Sequence, residues 1–281
     1  MTSLKKFLEL FKHAKLAPSM SRLNENAEKQ GYALAHSTGE TVYGDRPLRF
    51  RNLTLTEADV PALYDPATLR DGFKIRISQL RGGRLQAGTL VETRYEDRGY
   101  QPPGWRKERS LHTFIAYDEG NLVGTVGVRL DSKKGLAADD LYPDEVNALR
   151  AQRFRLCEFT RLAVNRTVAS KPVLAGMFHT AYLYAALMRG STHAVIEVNP
   201  RHVPFYRRAL NFELLGDERM CQRVDAPAVL LWVAFSTVAE GIAQYGGRGT
   251  EARGETKTFY PYFFAPNEEA GVLKRLRGLS S

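Results

Sequence analysis

Along residues 3–16, Leu4, Phe7, Leu8, Phe11 and Ala14 recur at helical spacing, and Lys5, Lys6, Lys12 and Lys15 lie away from their stripe. The segment predicts a basic amphipathic helix, suited to lid a core or to make peripheral contact with an anionic membrane surface. Residues 17–66 sustain no period and are punctuated by Pro18, Gly31, Gly39, Gly44 and Pro47, so they read as irregular with short helical pieces. Regular alternation begins at Phe73, Ile75 and Ile77, interleaved with Lys74, Arg76 and Ser78, which predicts a half-buried strand. A helix is expected over 84–98. Strands follow over Leu111–Tyr117 and Leu122–Leu130, joined as a hairpin by the turn chemistry of Asp118-Glu119-Gly120-Asn121.

After an acidic loop and short helix at 137–152 comes a strand over 156–164. An apolar helix over 173–189 stops at Gly190, a residue suited to the left-handed cap position. His193–Val198 is a strand closed by Asn199-Pro200. A helix over 202–210 and strands over 212–220 and 228–235 complete the regular part. The tail holds a short helix, a Gly/Arg-rich linker at 246–254, and the stretch Phe259-Tyr-Pro-Tyr-Phe-Phe264. Its aromatics are expected to pack back on the protein, because so many exposed rings would be unfavourable. The order predicts an α/β (α+β) fold with a mixed, mostly antiparallel central sheet and helices on both faces. It divides into an N-terminal extension (1–66), a core (67–236) and a C-terminal extension (237–281).

Composition narrows the class of protein. The chain has 281 residues, long enough for one large domain or two small ones, and its 43% apolar residues allow a sizeable core. The two cysteines, Cys157 and Cys221, form no CxxC pair, which argues against a thiolate zinc site or a disulfide framework and suits a reducing cytoplasm. The six histidines are scattered without metal-ligand spacing, so no metal is expected. His202 reads as a surface histidine at a helix start, and the Lys-Arg-Leu-Arg run at 274–277 as solvated. The net charge of +9 favours an acidic partner. Nucleic acid is one such partner, but no helix-turn-helix, RNP motif or finger is present, so none is expected.

Candidate chemistry centres on Glu158-Phe-Thr-Arg161-Leu-Ala-Val164. Strict alternation places Glu158, Thr160 and Leu162 on one face and Phe159, Arg161 and Ala163 on the other. A mid-strand carboxylate is costly unless it is paired or used. Glu158 and Arg161 are therefore either structural ion-pair partners or working groups. The helix Phe205-Tyr206 before Asn211-Phe212 offers a tyrosine that either packs on the sheet or donates a proton.

These pieces, in this order, resemble the GNAT acyltransferases, and within them the N-acyl amino acid synthases and the related acyl-homoserine-lactone synthases. The Glu-x-Thr-Arg stretch and the Phe-Tyr helix carry the likeness. The resemblance implies a V-shaped split between two central strands, into which the donor's pantetheine arm adds. It implies Glu158 as base, Tyr206 as acid toward the leaving thiolate, and Arg161 holding the site or the acceptor. Arg94-Tyr-Glu-Asp-Arg98-Gly-Tyr100 looks like the substrate-covering loop of the lactone synthases, with Tyr100 or Trp105 standing for their Trp. Arg94 or Arg98 would grip an acceptor carboxylate. Thr160, Phe159, Phe178 and Tyr182 would line the substrate and acyl site. Leu162, Ala163, Val164, Asn165, Ser170, Lys171 and Asn199 would meet the pantetheine.

CoA-using GNATs carry a Gly-rich loop that cradles pyrophosphate at a helix start. Residues 165–176 have one glycine and not that spacing. The resemblance then implies acyl-phosphopantetheine on an acyl carrier protein as donor, with no tightly bound cofactor and an amino-acid acceptor. Arg70, Lys74, Arg76, Arg81, Arg84, Arg201, Arg207 and Arg208 are candidates for docking the acidic carrier. An acyl-CoA donor, a lactone-forming synthase and a basic nucleic-acid binder are the alternatives.

Overall fold

A computed structural model describes residues 40–44, 73–78, 81–102, 110–118, 121–165, 171–252 and 254–278. The helix expected over 3–16, Arg70, Trp105, Ser170 and the side chains of Arg81 and Arg84 lie outside the described residues.

The described strands are β1 (Glu40–Gly44), β2 (Lys74–Ile77), β3 (Leu111–Asp118), β4 (Asn121–Leu130), β5 (Leu156–Val164), β6 (His193–Val198), β7 (Glu213–Cys221) and β8 (Ala226–Ala234). They form one sheet in the order β1-β2-β3-β4-β5-β6-β8-β7. Every neighbouring pair is antiparallel except β5 and β6. A parallel pair needs a crossover. It is supplied by α3 (Lys171–Tyr182), which continues as a π-helical turn over Leu183–Met188 rather than as the uniform helix expected to 189. Helix α1 (Arg81–Glu96) packs Ala87, Leu90 and Val91 onto the face of the sheet that carries Ile115, Tyr117 and Ala163. Helix α2 (Pro143–Ala151) adds Val146 and Leu149 beside Leu156 and Val195.

The opposite face holds the main core, where α3 lies on Phe114, Ala116, Val126 and Val128. Gly176 allows that helix its close approach. A Cβ there would sit 3.1 Å from Phe73 and 3.3 Å from Ile75 and Phe264. The core extends into the C-terminal part, where Phe259, Tyr260, Phe263 and Phe264 are buried. Buried aromatic rings of this size contribute strongly to core stability.

Four further expectations differ from the structure. Residues 40–44, read as irregular, form β1, a strand too short for its period to be visible. After α4 (Val203–Leu210), whose end is capped by Asn211 in the left-handed region (φ 57°), the last strand pair closes at Ala234. Phe235 instead opens α5 (Phe235–Tyr245). A second tail helix, α6 (Pro266–Gly278), was not expected. Its Leu276 is buried and its Arg275 Nε donates to the Val42 carbonyl at 2.8 Å, so the 274–277 run is not uniformly solvated.

The fourth difference lies in β5. Gly127 pairs with Thr160 but Thr125 with Ala163, so β5 carries an extra residue against β4. Arg161 sits there with φ 51°. Such a bulge breaks the two-residue alternation. Leu162 and Val164 pack on the main core with Phe159, and Ala163 turns to α1. Two of the face assignments made by strict alternation are thereby reversed.

Candidate active site

Strands β5 and β6 pair only at Leu156↔His193, Cys157↔Ala194 and Glu158↔Val195. Beyond Glu158 they part. The opening between them is a cavity of about 420 Å³ lined by Glu158, Phe159, Thr160, Arg161 and Leu162 from one strand and Ile196, Glu197 and Val198 from the other. Tyr95, Arg98 and Tyr100 enter from the end of α1, and His202 and Tyr206 from the segment after β6.

Glu158 sits at the closed end of this V, with a side chain 2% exposed. Its Oε2 accepts from Arg129 Nη1 at 2.7 Å and from the Ala137 amide at 2.8 Å. The loop that presents Ala137 is braced: Arg150 donates to Asp131 and Asp139 at 2.5–2.8 Å, and the Leu136 amide donates to Asp139 Oδ2 at 2.7 Å. Hydrogen bonds from Arg150 hold the Asp139 carboxyl below its usual range. Glu158 is thus both an ion-pair member and a wall of the cavity.

Of the other expected residues, Arg98, Tyr100, Phe178 and Asn199 also line the cavity. Tyr206 does so with its hydroxyl pKa pushed well up by burial. Arg94 does not line it: its guanidinium donates to Asp97 Oδ2 at 2.8 Å and Asn165 Oδ1 at 3.2 Å, tying α1 to the end of β5. It is not placed to grip a substrate carboxylate. Tyr182 lies instead on a small apolar hollow with Leu210, Phe212 and Val233, which meets the main cavity at Phe159 and Phe178. Ala163, Val164 and Asn165 continue past the cavity, and the Asn165 amide is taken by the Val123 carbonyl at 2.8 Å. Lys171 opens α3, its Nζ 5.5 Å from the centre of the Tyr262 ring.

The docking candidates are dispersed. Arg76 lies over Tyr117 (5.7 Å) and Arg201 over Tyr100 (5.4 Å), with Arg201 also donating to the Tyr100 hydroxyl.

His202 corrects an expectation: it is buried in the cavity wall, not on the surface. Burial, with Arg98 and Arg201 nearby, pushes its pKa down to about 3, so it is neutral near pH 7. Cys157, beside Glu158, is buried against the core and its thiol is pushed far above its ordinary range by burial, which makes it unsuited as a nucleophile. Among the described residues no cluster of His, Cys, Asp and Glu is arranged to hold a metal ion, and no helix is long and apolar enough to cross a membrane.

The sequence reading missed Arg129, Ala137, Arg223 and Glu197. Glu197 carried a usable signal: a carboxylate inside the apolar strand His-Ala-Val-Ile-Glu-Val invites the same question as Glu158.

A mixed sheet whose single parallel pair splays at a buried carboxylate is the GNAT acyltransferase architecture, and the comparisons agree. The profile of the family "N-acyl amino acid synthase FeeM" matches residues 86–234, just over half of the chain. The chain belongs to this family and is an acyltransferase. The structure of FeeM, an N-acyl amino acid synthase from uncultured soil microbes, aligns with TM-score 0.55 at 26% identity, covering 58% of this chain and 92% of that one. Looser matches include the AHL synthase LasI (12%, TM-score 0.43, covering 58% and 89%). Another is an N-acetyltransferase structure from Lactobacillus plantarum (18%, TM-score 0.42, covering 58% and 98%). No curated protein matches the chain by sequence.

Proposed function

We infer that this acyltransferase moves a fatty acyl group from the phosphopantetheine arm of an acyl carrier protein to the amine of an amino acid. The observation that carries the reading is the parting of β5 from β6 immediately after Glu158. An extended pantetheine arm fits such an opening as an added strand would. Its thioester then reaches the closed end, where Glu158 meets the incoming amine. Backbone N–H groups on the edge of β5 that β6 leaves beyond Glu158 are the donors we assign to the developing oxyanion. Asn165 is excluded from that role because its amide is already bonded. The acyl chain runs inward past Phe159 and Phe178 toward the apolar hollow at Tyr182.

The carrier-protein donor is supported by the absence of a Gly-rich pyrophosphate loop in 165–176 and by the +9 charge. A single phosphate suits the N-terminus of α3 with Lys171. With the Cys157 thiol beside Glu158 unsuited as a nucleophile, the amine attacks the thioester directly.

Supplying the protein with acyl carrier protein or CoA thioesters and a panel of amino acids, with products identified by mass spectrometry, tests this. N-acyl amino acids formed with higher kcat/KM from the carrier protein are expected. Acyl lactones, or better turnover from acyl-CoA, would overturn the acceptor or the donor assignment. Glu158→Gln is expected to lower kcat/KM by roughly 10–100-fold, mainly through the acceptor KM, as the loss of a charge-assisted contact would.

A further inference from the structure

Glu197 faces Glu158 across the split, on the other strand of the V. Its side chain is 13% exposed, and it lines the same cavity. Its Oε2 accepts from Arg223 Nη2, while its Oε1 is buried with no hydrogen-bond partner among the described residues. Arg223 is heavily shared: Nη1 donates to the Ala137 carbonyl and to Asp140 Oδ2 at 3.2 Å, and Nη2 also lies 3.7 Å from Cys221 Sγ. Ala137 therefore joins two ion pairs, its amide on Glu158 and its carbonyl on Arg223. Along this chain of bonds three carboxylates, Glu158, Glu197 and Asp140, share two guanidiniums, Arg129 and Arg223.

The two cleft carboxylates differ in what they are offered. Glu158 has a full-length ion pair and an amide on one oxygen, so its carboxylate is held in place. Glu197 has a shared guanidinium and a bare buried oxygen, a poor setting for a charge. We propose that Glu197 is a second catalytic carboxylate of this cleft, taking the proton of the acceptor's ammonium while Glu158, held by Arg129 and the Ala137 amide, orients the amine. The proposal rests on the acyl-transfer reading above, and it moves the proton from the carboxylate that the sequence singled out to one it passed over.

Burial pushes the Glu197 carboxyl up to about 7, with Arg223 pulling it down and Glu158 and Asp140 adding to the rise. Titratable groups near it include the Tyr95 and Tyr142 hydroxyls, both raised by burial, and Cys221 on the shared guanidinium nitrogen, and His202, Tyr206 and Tyr100 line the same cavity. Arg98 and Arg161 line the same cavity. A base with a pKa near the working pH transfers protons in both directions most effectively.

The step balances. An N–H bond of the ammonium breaks and an O–H bond forms on Glu197. The freed lone pair makes the C–N bond to the thioester carbon, and the C=O π pair moves to oxygen. That pair returns as the C–S bond breaks, with the electrons on sulfur. The remaining excess proton on nitrogen passes to the thiolate, and Glu197 releases its own to water. Ammonium and thioester become amide, thiol and one proton.

The test measures kcat against pH at saturating acceptor for wild type, Glu197→Gln, Glu197→Asp and Glu158→Gln. The wild type is expected to lose activity on the acid side with a midpoint near 7. Glu197→Gln is expected to lower kcat at least 10²-fold and abolish that limb, and Glu197→Asp to restore part of both. Glu158→Gln is expected to raise acceptor KM yet keep a limb. Infrared difference spectra between about pH 6 and pH 8 give a readout independent of turnover: a carboxyl signal present in wild type and missing in Glu197→Gln. An active wild type whose Glu197→Gln variant keeps its rate and its limb overturns the proposal alone. A wild type that transfers no acyl group overturns the acyl-transfer reading, and the assignment of Glu197 with it.

Discussion

The two halves of β5 behave as different structures. Leu156–Glu158 is held on both sides, by the antiparallel ladder to β4 and the parallel pairs to β6, and ends in a carboxylate bonded to Arg129 and Ala137. Phe159–Val164 keeps only the β4 ladder, is bulged at Arg161, and faces a cavity where β6 would have been. Nine residues thus supply a rigid anchor and an opening. The anchor fixes charge to within hydrogen-bonding distance, and the opening leaves room for a substrate.

Breaking the anchor has the largest expected effect. Arg129→Met leaves Glu158 buried without its cation, and loss of one partner of a buried pair costs about 3–5 kcal/mol. Urea unfolding is expected to show this loss, and Arg129→Met/Glu158→Leu to recover most of it. Full stability in the single variant would mean that the pair does not fix the closed end.

On the open side the effect is spread over several pH units and is smaller at any one step of pH. His202 is kept neutral in the cavity wall, with a folded pKa (about 3) below its ordinary value of 6.5. Below pH 6.5 the unfolded chain binds a proton that the folded chain refuses, so this residue's contribution is complete above 6.5 and is lost as pH falls toward 3. His202→Gln is expected to flatten the stability–pH curve below 6.5 by up to about 1.4 kcal/mol per pH unit. An unchanged slope would place the ring in a wetter setting.

The smallest effect is expected from Tyr206→Phe. The ring keeps its contacts with Phe178, Phe205 and Phe212, and a hydroxyl made so weakly acidic by burial is a poor proton donor. We expect kcat to fall by less than about tenfold, well below the general-acid range. A loss of 10³-fold would restore the tyrosine as the acid toward the thiolate.

Much of the frame was legible in the chain. Long periodic segments such as 111–130 and 156–198 show their type because burial imposes one period on many residues. The parting of β5 and β6 was legible only through family resemblance. Glu158 stood out because a carboxylate in a strand demands a reason. Its partners did not, since Arg129 and Ala137 come from separate elements and only the fold brings them to it. Parity hid the rest. The extra residue at Arg161 reverses the faces after it, and no local signal in Phe-Thr-Arg-Leu-Ala marks where counting by twos must stop. His202 was misplaced for a similar reason: burial is decided by elements distant in sequence.

Among the described residues strand β1 lies at one edge of the sheet, and its cover comes from α6. Tyr43 donates to Glu268 Oε1 across 225 positions, and Arg275 reaches the Val42 carbonyl across 233. At the ordinary pace of translation that separation is roughly 10–50 seconds. For that interval a nascent β1 has no α6 to shield it, and an uncovered strand edge invites pairing with other chains. How well this protein is produced will therefore depend on how quickly its last helix follows its first described strand out of the ribosome.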